Sequence, residues 1–162
     1  MTPKGFRAAI IDPTLHLLDL WSPAASNLML GTALVESGLE HRKQIGGGPA
    51  RGYFQIEPAT FHDVYGRHLK TRQSLLARVN SLLTPLMPPV DQLWNNDQLG
   101  CAIARIRYRY AKEPLPDAED AKGLAEYHKK YYNTSAGKTD TGRSIKAFEA
   151  ALARSLEAGT FS

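Results

Sequence analysis

The stretch from residue 22 to residue 38 constrains the fold most, because it predicts a helix with its own start and stop signals. Pro23 follows Ser22 and suits the first turn of a helix, where its missing N–H costs nothing. Gly38 supplies the stop. Between them, apolar residues recur at helical spacing at Leu28, Leu34 and Val35. A helix with these limits places Glu36 in its last turn, between apolar neighbours.

The remainder of the chain also predicts helices. We expect them at about 14–21, 58–69, 73–83, 117–132 and 141–156, with another that Asn95 or Asn96 caps and that continues through Tyr110. Pro13 is expected to divide the apolar run 8–20. The three glycines in 40–51 predict a loop. No repeat or linker interrupts the 162 residues, so we predict one mainly α domain over 1–162.

Composition narrows the classes of function. A hydrophobic content of 43% and a charged content of 22% are typical of a globular protein. Cys101 is the single cysteine, so no internal disulfide can form, and the five scattered histidines show no short ligand spacing. We therefore expect neither a metal site nor another cofactor. The net charge of +4 and the pI near 9.2 do not argue for nucleic acid. They suit an anionic polymer, or equally a solvated basic surface.

The position of Glu36 suggests acid–base chemistry. The end of a helix carries a partial negative charge, and apolar surroundings disfavour a charged carboxylate. Both effects favour the protonated form, which a general acid for glycoside cleavage requires. The alternative is a solvated glutamate at a frayed helix end. Arg105, Arg107 and Arg109 alternate by two, so they fan out around a helix, and we expect them to be solvated.

Two further blocks accompany the Glu36-Ser37 pair. Residues 52–60 read Gly-Tyr-Phe-Gln-Ile-Glu-Pro-Ala-Thr, and Tyr132-Asn133 follows near the end of a predicted helix. Taken in order, these blocks resemble the soluble lytic transglycosylases and their relatives, the goose-type lysozymes and the lysozyme-like proteins of phage particles. Family members carry Glu-Ser, then Gly-Leu-Met-Gln-Ile/Leu-x-Pro-x-Thr, then Ala-Tyr-Asn. An Asn-x-x-x-Gly helix in the family matches Asn96 and Gly100.

This chain departs from the family pattern in two places. Tyr53-Phe54 stands where the family has leucine and methionine, which keeps the apolar bulk. Tyr131 replaces the alanine of the last motif. Tyr132 is as well explained by packing in the core as by a role in the site.

The resemblance implies a lysozyme-like helical domain with a cleft, at most a minor β element, and peptidoglycan glycan strands as the partner. Glu36 would protonate the glycosidic oxygen and then act as base. Ser37 and Gln55 would bind the sugars, and Tyr132 would direct its hydroxyl toward Glu36 or the developing charge. The further substrate-binding candidates are Tyr53, Glu57 and Asn133, although Asn133 is better suited to hold the turn.

The implied reaction depends on a second carboxylate. A lytic transglycosylase needs one acid, because the 6-hydroxyl of muramic acid attacks the bond. A hydrolytic muramidase generally uses a pair of carboxylates, and the candidates for the second are Glu40, Glu57 and Asp63. For Glu57 the alternative is a cap on the helix that opens at Pro58. The single-acid reaction is preferred. The alternative from another functional class is a non-catalytic lysozyme-like protein that serves as a structural or wall-binding component of the virion.

The N-terminal residues 1–13 lack a secretory signal, and no stretch approaches the length of a membrane span. We therefore expect synthesis in the cytoplasm of a phage-infected host, followed by packaging in the virion or release to the periplasm and cell wall. The role would be wall penetration or host lysis, with other virion proteins as further partners. Neither nucleic acid nor a membrane is expected as a partner.

Overall fold

The computed structural model describes residues 1–132 and 141–157, with side chains described through residue 152. The protein is 64% helical, which confirms the predicted mainly α class. Within the described ranges there is no strand. Two isolated antiparallel bridges, Lys43 with Arg51 and Arg51 with Ile56, join the glycine-rich loop to the segment that follows it.

Eight α-helices account for most of the described chain. They are α1 (Pro3–Phe6), α2 (Asp12–Leu17), α3 (Pro23–Glu36), α4 (Pro58–Phe61), α5 (Gln73–Asn80), α6 (Asp97–Tyr108), α7 (Ala121–Tyr131) and α8 (Thr141–Glu157). Two π-helical segments, Arg7–Ile11 and His62–Arg67, and two 3₁₀ segments, His68–Thr71 and Pro89–Trp94, connect some of them.

The prediction that Pro13 divides the first apolar run was wrong. Helical structure continues from α1 through the π-helical segment into α2. In that segment the N–H of Asp12 donates to the carbonyl of Arg7, five residues earlier. The wider turn lies directly before Pro13, which has no N–H to donate and whose ring would crowd a regular helix. The chain therefore accommodates the proline by widening one turn.

Helix α3 is packed from several sides and begins and ends where the sequence predicts. The Ser22 hydroxyl accepts from the N–H of Ala25 and caps its start. Helix α8 packs closely along α3 because Gly31 leaves room for the buried ring of Phe148. A Cβ atom at Gly31 would lie 2.1 Å from that ring. The site at the end of α3 is therefore fixed partly by the last described helix.

Helix α6 forms another part of the core. The Asn96 side chain accepts from the N–H of Leu99 and caps its start. The expectation that all three arginines of this region are solvated was wrong for Arg105, which is only 6% exposed. Burial lowers the pKa of Arg105. Arg109 is exposed, as expected. In the part of the chain that the structure describes, no helix is long and apolar enough to cross a bilayer.

Candidate functional site

The last residue of α3 adjoins a cleft that contains three of the seven predicted site residues, Glu36, Ser37 and Gln55. Glu36 is buried, with its side chain 0% exposed, and lies at the cleft wall. The cleft has a volume of about 420 Å³. Its polar lining is Glu36, Ser37, Glu40, His41, Gln44, Gln55 and Arg143. This lining offers many hydrogen-bonding groups, which suits a polar ligand.

The Glu36 carboxyl group is held by a histidine that the sequence did not reveal. His128 Nε2 lies 2.9 Å from Glu36 Oε1, and the His128 side chain is 4% exposed. Helix α7 supplies His128, and its ring stacks on Tyr132 at 5.4 Å between centroids. On its other side the ring meets Phe148 of α8 at 6.0 Å. A buried pair thus joins the end of α3 to α7.

The surroundings of the His128 ring decide which nitrogen carries the proton. The Nδ1 atom is buried and has no hydrogen-bond partner among the described residues. A proton on Nδ1 would be a buried donor without an acceptor, which costs about 1–3 kcal/mol. We therefore assign the proton to Nε2, which donates to Glu36 Oε1.

Ser37 joins the two sequence blocks that flank the loop. Its Oγ lies 2.7 Å from the carbonyl oxygen of Tyr53 and 3.0 Å from that of Ala33. The same oxygen accepts from the N–H of Leu39 at 3.2 Å. Ser37 lines the cleft, but these bonds engage its hydroxyl with the backbone. Its contact with sugar remains a prediction, while its bond to Tyr53 fixes the second block against the end of α3.

Gln55 also lines the cleft, and its backbone has a left-handed φ of 49°. Its side-chain amide donates to the carbonyl of Gly52 at 2.8 Å and to that of Arg42 at 3.3 Å. Gly52 has φ of 75°, and a Cβ there would lie 2.5 Å from the carbonyl oxygen of Leu93. Only glycine fits at this point. The tight turn therefore directs Gln55 into the cleft wall.

Tyr132 packs against the His128 ring of the buried pair, and its hydroxyl is bonded to the backbone. Its hydroxyl donates to the carbonyl of Phe54 at 2.5 Å. Burial raises the pKa of Tyr132 well above its ordinary value, and the nearby charge of Glu36 raises the pKa further. Its ring also stacks on Tyr108. This hydrogen bond is a structural tie between α7 and the 52–60 block.

The remaining substrate-binding candidates lie elsewhere or outside the described residues. Tyr53 is not among the residues that line the cleft. Its ring contacts Phe6 and the Arg42 guanidinium, which lies 4.0 Å from the ring centre. Glu57 lines a separate small cavity of about 40 Å³ together with Gln55 and Tyr132. Asn133 lies outside the described residues.

The three candidates for a second carboxylate lie at different places in the structure. Glu40 lines the same cleft as Glu36. Glu57 occupies the N-cap position of α4, but its side chain makes no capping hydrogen bond. Asp63 forms an ion pair with Arg67 and accepts from the Tyr110 hydroxyl, so it lies in a different part of the surface. Glu40 is thus the candidate that shares the cleft.

The cleft was partly predictable. Glu36, Ser37 and Gln55 converge on it, as the motif order suggested, whereas His128 was missed. His128 lies one helical turn before Tyr132, but no sequence rule links it to a residue in α3. Within the described ranges, no group of three or more histidine, cysteine, aspartate or glutamate residues could hold a metal ion.

Comparisons with protein-family models, with curated protein sequences and with solved structures gave no significant match.

Proposed function

We propose that this protein is a lytic transglycosylase that cleaves the β-1,4 bond between N-acetylmuramic acid and N-acetylglucosamine in peptidoglycan. The observation that carries the proposal is the convergence of Glu36, Ser37 and Gln55 on one polar cleft. These residues come from two sequence blocks separated by a loop, and both blocks resemble the motifs of that family. The net charge of +4 favours association with an anionic cell wall.

Glu36 would carry both proton transfers. In the first step, its carboxyl group gives a proton to the glycosidic oxygen as the bond to the muramic acid C1 breaks. In the second step, the carboxylate takes the proton of the muramic acid 6-hydroxyl while that oxygen bonds to C1. The products are a free 4-hydroxyl and a 1,6-anhydro end, and Glu36 is again protonated.

His128 would position the acid. Since Glu36 Oε1 accepts from His128 Nε2, the transferred proton belongs to the other carboxyl oxygen. The Glu36 side chain is 0% exposed. A bound glycan must therefore displace the groups that cover the carboxyl group before the glycosidic oxygen can contact it. Burial of this kind keeps water from competing for the proton.

Hydrolysis of the same bond is the second candidate, and Glu40 favours it. Hydrolytic enzymes use a second carboxylate as nucleophile or as base for water, and Glu40 shares the cleft with Glu36. The single-acid reaction is preferred because the motif blocks resemble the transglycosylases, in which one glutamate suffices. The role in wall penetration or host lysis follows from the same resemblance.

Turbidity clearing of purified cell walls tests the assignment of Glu36. We expect Glu36→Gln to abolish clearing while its circular dichroism spectrum and wall binding stay unchanged. Glu126→Gln is the matched control, since Glu126 is an exposed residue of α7. If the unmodified protein binds walls without clearing them, the protein is a wall-binding component and the enzymatic proposal fails. If Glu36→Gln retains substantial activity, Glu36 is not the acid.

Mass spectrometry of the products distinguishes the two reactions. Digestion in heavy-oxygen water should give unlabelled 1,6-anhydro ends, which are lighter by one water than reducing ends. Labelled reducing ends as the primary product would establish hydrolysis instead. In that case Glu40→Gln should abolish activity. Under the transglycosylase proposal, Glu40→Gln and Glu57→Gln should both retain most of it.

A further inference from the structure

A further cavity, lined by residues from two parts of the chain, carries concentrated positive charge. It has a volume of about 550 Å³ and is lined by Arg67, His68, Arg72, Arg109 and Tyr110. Arg67 ends the π-helical segment, His68 begins the 3₁₀ segment and Arg72 directly follows it, whereas the last two residues follow α6. The lining shares no residue with the cleft beside Glu36.

A small network orders one side of this cavity. Asp63 binds Arg67 through an ion pair, and its other oxygen accepts from the Tyr110 hydroxyl at 3.0 Å. The ring of His68 lies 4.5 Å from that of Tyr110. Burial and the bond to Asp63 raise the pKa of Tyr110 to about 12, so its phenol stays neutral. One carboxylate therefore holds Arg67 and the Tyr110 ring in place, and the ring of His68 packs against Tyr110.

Two of the three arginines in the lining, Arg72 and Arg109, are not neutralised by an ion pair with a described acidic residue. Among the described acidic residues, none forms an ion pair with Arg72 or Arg109. Arg72 donates to the carbonyl of His68 at 2.9 Å, which orients its guanidinium without cancelling its charge. Arg107 adds a fourth positive charge, since its guanidinium lies 4.9 Å from the centre of the Tyr110 ring. Asp63 is the single carboxylate identified in this network.

The titration of His68 is consistent with a positive local potential. Burial lowers the pKa of His68, and the charges of Arg72 and Arg67 lower it further, against an opposing contribution from Asp63. Guanidinium groups bind phosphate through paired hydrogen bonds, and several of them around one cavity favour an oxyanion with more than one negative charge. The cavity is larger than a single phosphate group requires, which leaves room for the molecule that carries it.

We infer that the cavity bounded by Arg67, His68, Arg72, Arg109 and Tyr110 binds a phosphate-bearing ligand. Arg72 and Arg109 contact the phosphate oxygens, and Arg67 is held in place by Asp63. The phosphate can belong to a soluble phosphorylated compound or to a lipid headgroup, because both offer the same oxygens. The inference does not depend on the proposed glycan cleavage.

Two binding assays on the full chain test this site. Isothermal titration with inorganic pyrophosphate probes the soluble source. Co-sedimentation with phosphatidylcholine vesicles that contain phosphatidic acid probes the lipid source. We expect at least one probe to bind, and we expect Arg72→Gln and Arg109→Gln each to weaken its binding about tenfold or more. Both side chains are exposed, so the variants should fold normally.

A matched control distinguishes binding at this cavity from nonspecific electrostatic attraction to a basic protein. Lys112→Gln and Lys122→Gln remove one exposed positive charge each from outside the cavity lining, and their affinity should stay within about twofold of the unmodified protein. Binding of pyrophosphate alone identifies a soluble ligand, and binding of vesicles alone identifies a lipid headgroup. The proposal is overturned if neither probe binds, or if the lysine and arginine variants weaken binding equally.

Discussion

The buried pair of Glu36 and His128 should stabilise the fold through a specific coupling that can be measured. His128→Phe keeps an aromatic ring between Tyr132 and Phe148 but removes the Nε2 donor. The Glu36 oxygen that accepted from it then loses that bond at a buried position. Loss of one partner of a buried hydrogen bond costs about 1–3 kcal/mol. For a chain of this length, each kcal/mol lowers the melting temperature by roughly 2–4 °C.

A double-mutant cycle isolates the pair from the packing of the ring. In a Glu36→Leu background the acceptor is already absent, so His128→Phe should cost little or even stabilise the protein. The free energies of unfolding come from urea titrations of the unmodified protein, both single variants and the double variant. We expect a coupling of about 1–3 kcal/mol. Additivity within about 0.5 kcal/mol would refute the view that the hydrogen bond joins α3 to α7.

Two further predictions concern contacts that hold α3 and the 52–60 block in place. Gly31→Ala should destabilise the protein by about 1–3 kcal/mol, because the new Cβ would meet the buried Phe148 ring. In a Phe148→Leu background, Gly31→Ala should cost less free energy of unfolding, as measured by urea titration. An unchanged cost would contradict the packing of Phe148 against Gly31. Tyr132→Phe should lower stability by about 1–3 kcal/mol, because the carbonyl of Phe54 loses its donor. If calorimetry shows no change for Tyr132→Phe while wall clearing falls sharply, the hydroxyl serves the reaction and not the fold.

The sequence predicted the features that depend on neighbours along the chain. Ser22, Pro23 and Gly38 signalled both ends of α3. The start of α6 was expected at Asn95 or Asn96, and Asn96 is the cap. Such signals are local, since a cap or a stop acts within one turn. The effect of Pro13 was misjudged because a widened π turn is an alternative to a break, and sequence spacing does not distinguish the two.

The parts of the site that depend on contacts between distant segments were not predictable. His128 meets Glu36 only because α7 packs beside the end of α3, and one sequence without a fold does not specify that contact. Arg105 was expected in solvent for a related reason, since charged residues are generally exposed and the packing around α6 was unknown. Glu36 and Gln55, which belong to two successive motifs, do line one cleft. The hydrogen bond from the Ser37 hydroxyl to the Tyr53 carbonyl holds the two sequence blocks together.

The close fit of Phe148 over Gly31 has a consequence for the timing of assembly. Helix α3 is translated well before the ring that covers it, because Gly31 and Phe148 are far apart in the sequence. Until α8 emerges, the Gly31 face of α3 has no such cover, and Phe148 cannot yet support the His128 ring. Folding of this region therefore cannot be completed until α8 has been synthesised and has left the ribosome. A nascent or truncated chain that lacks α8 would hold the Glu36 sequence without the packed site.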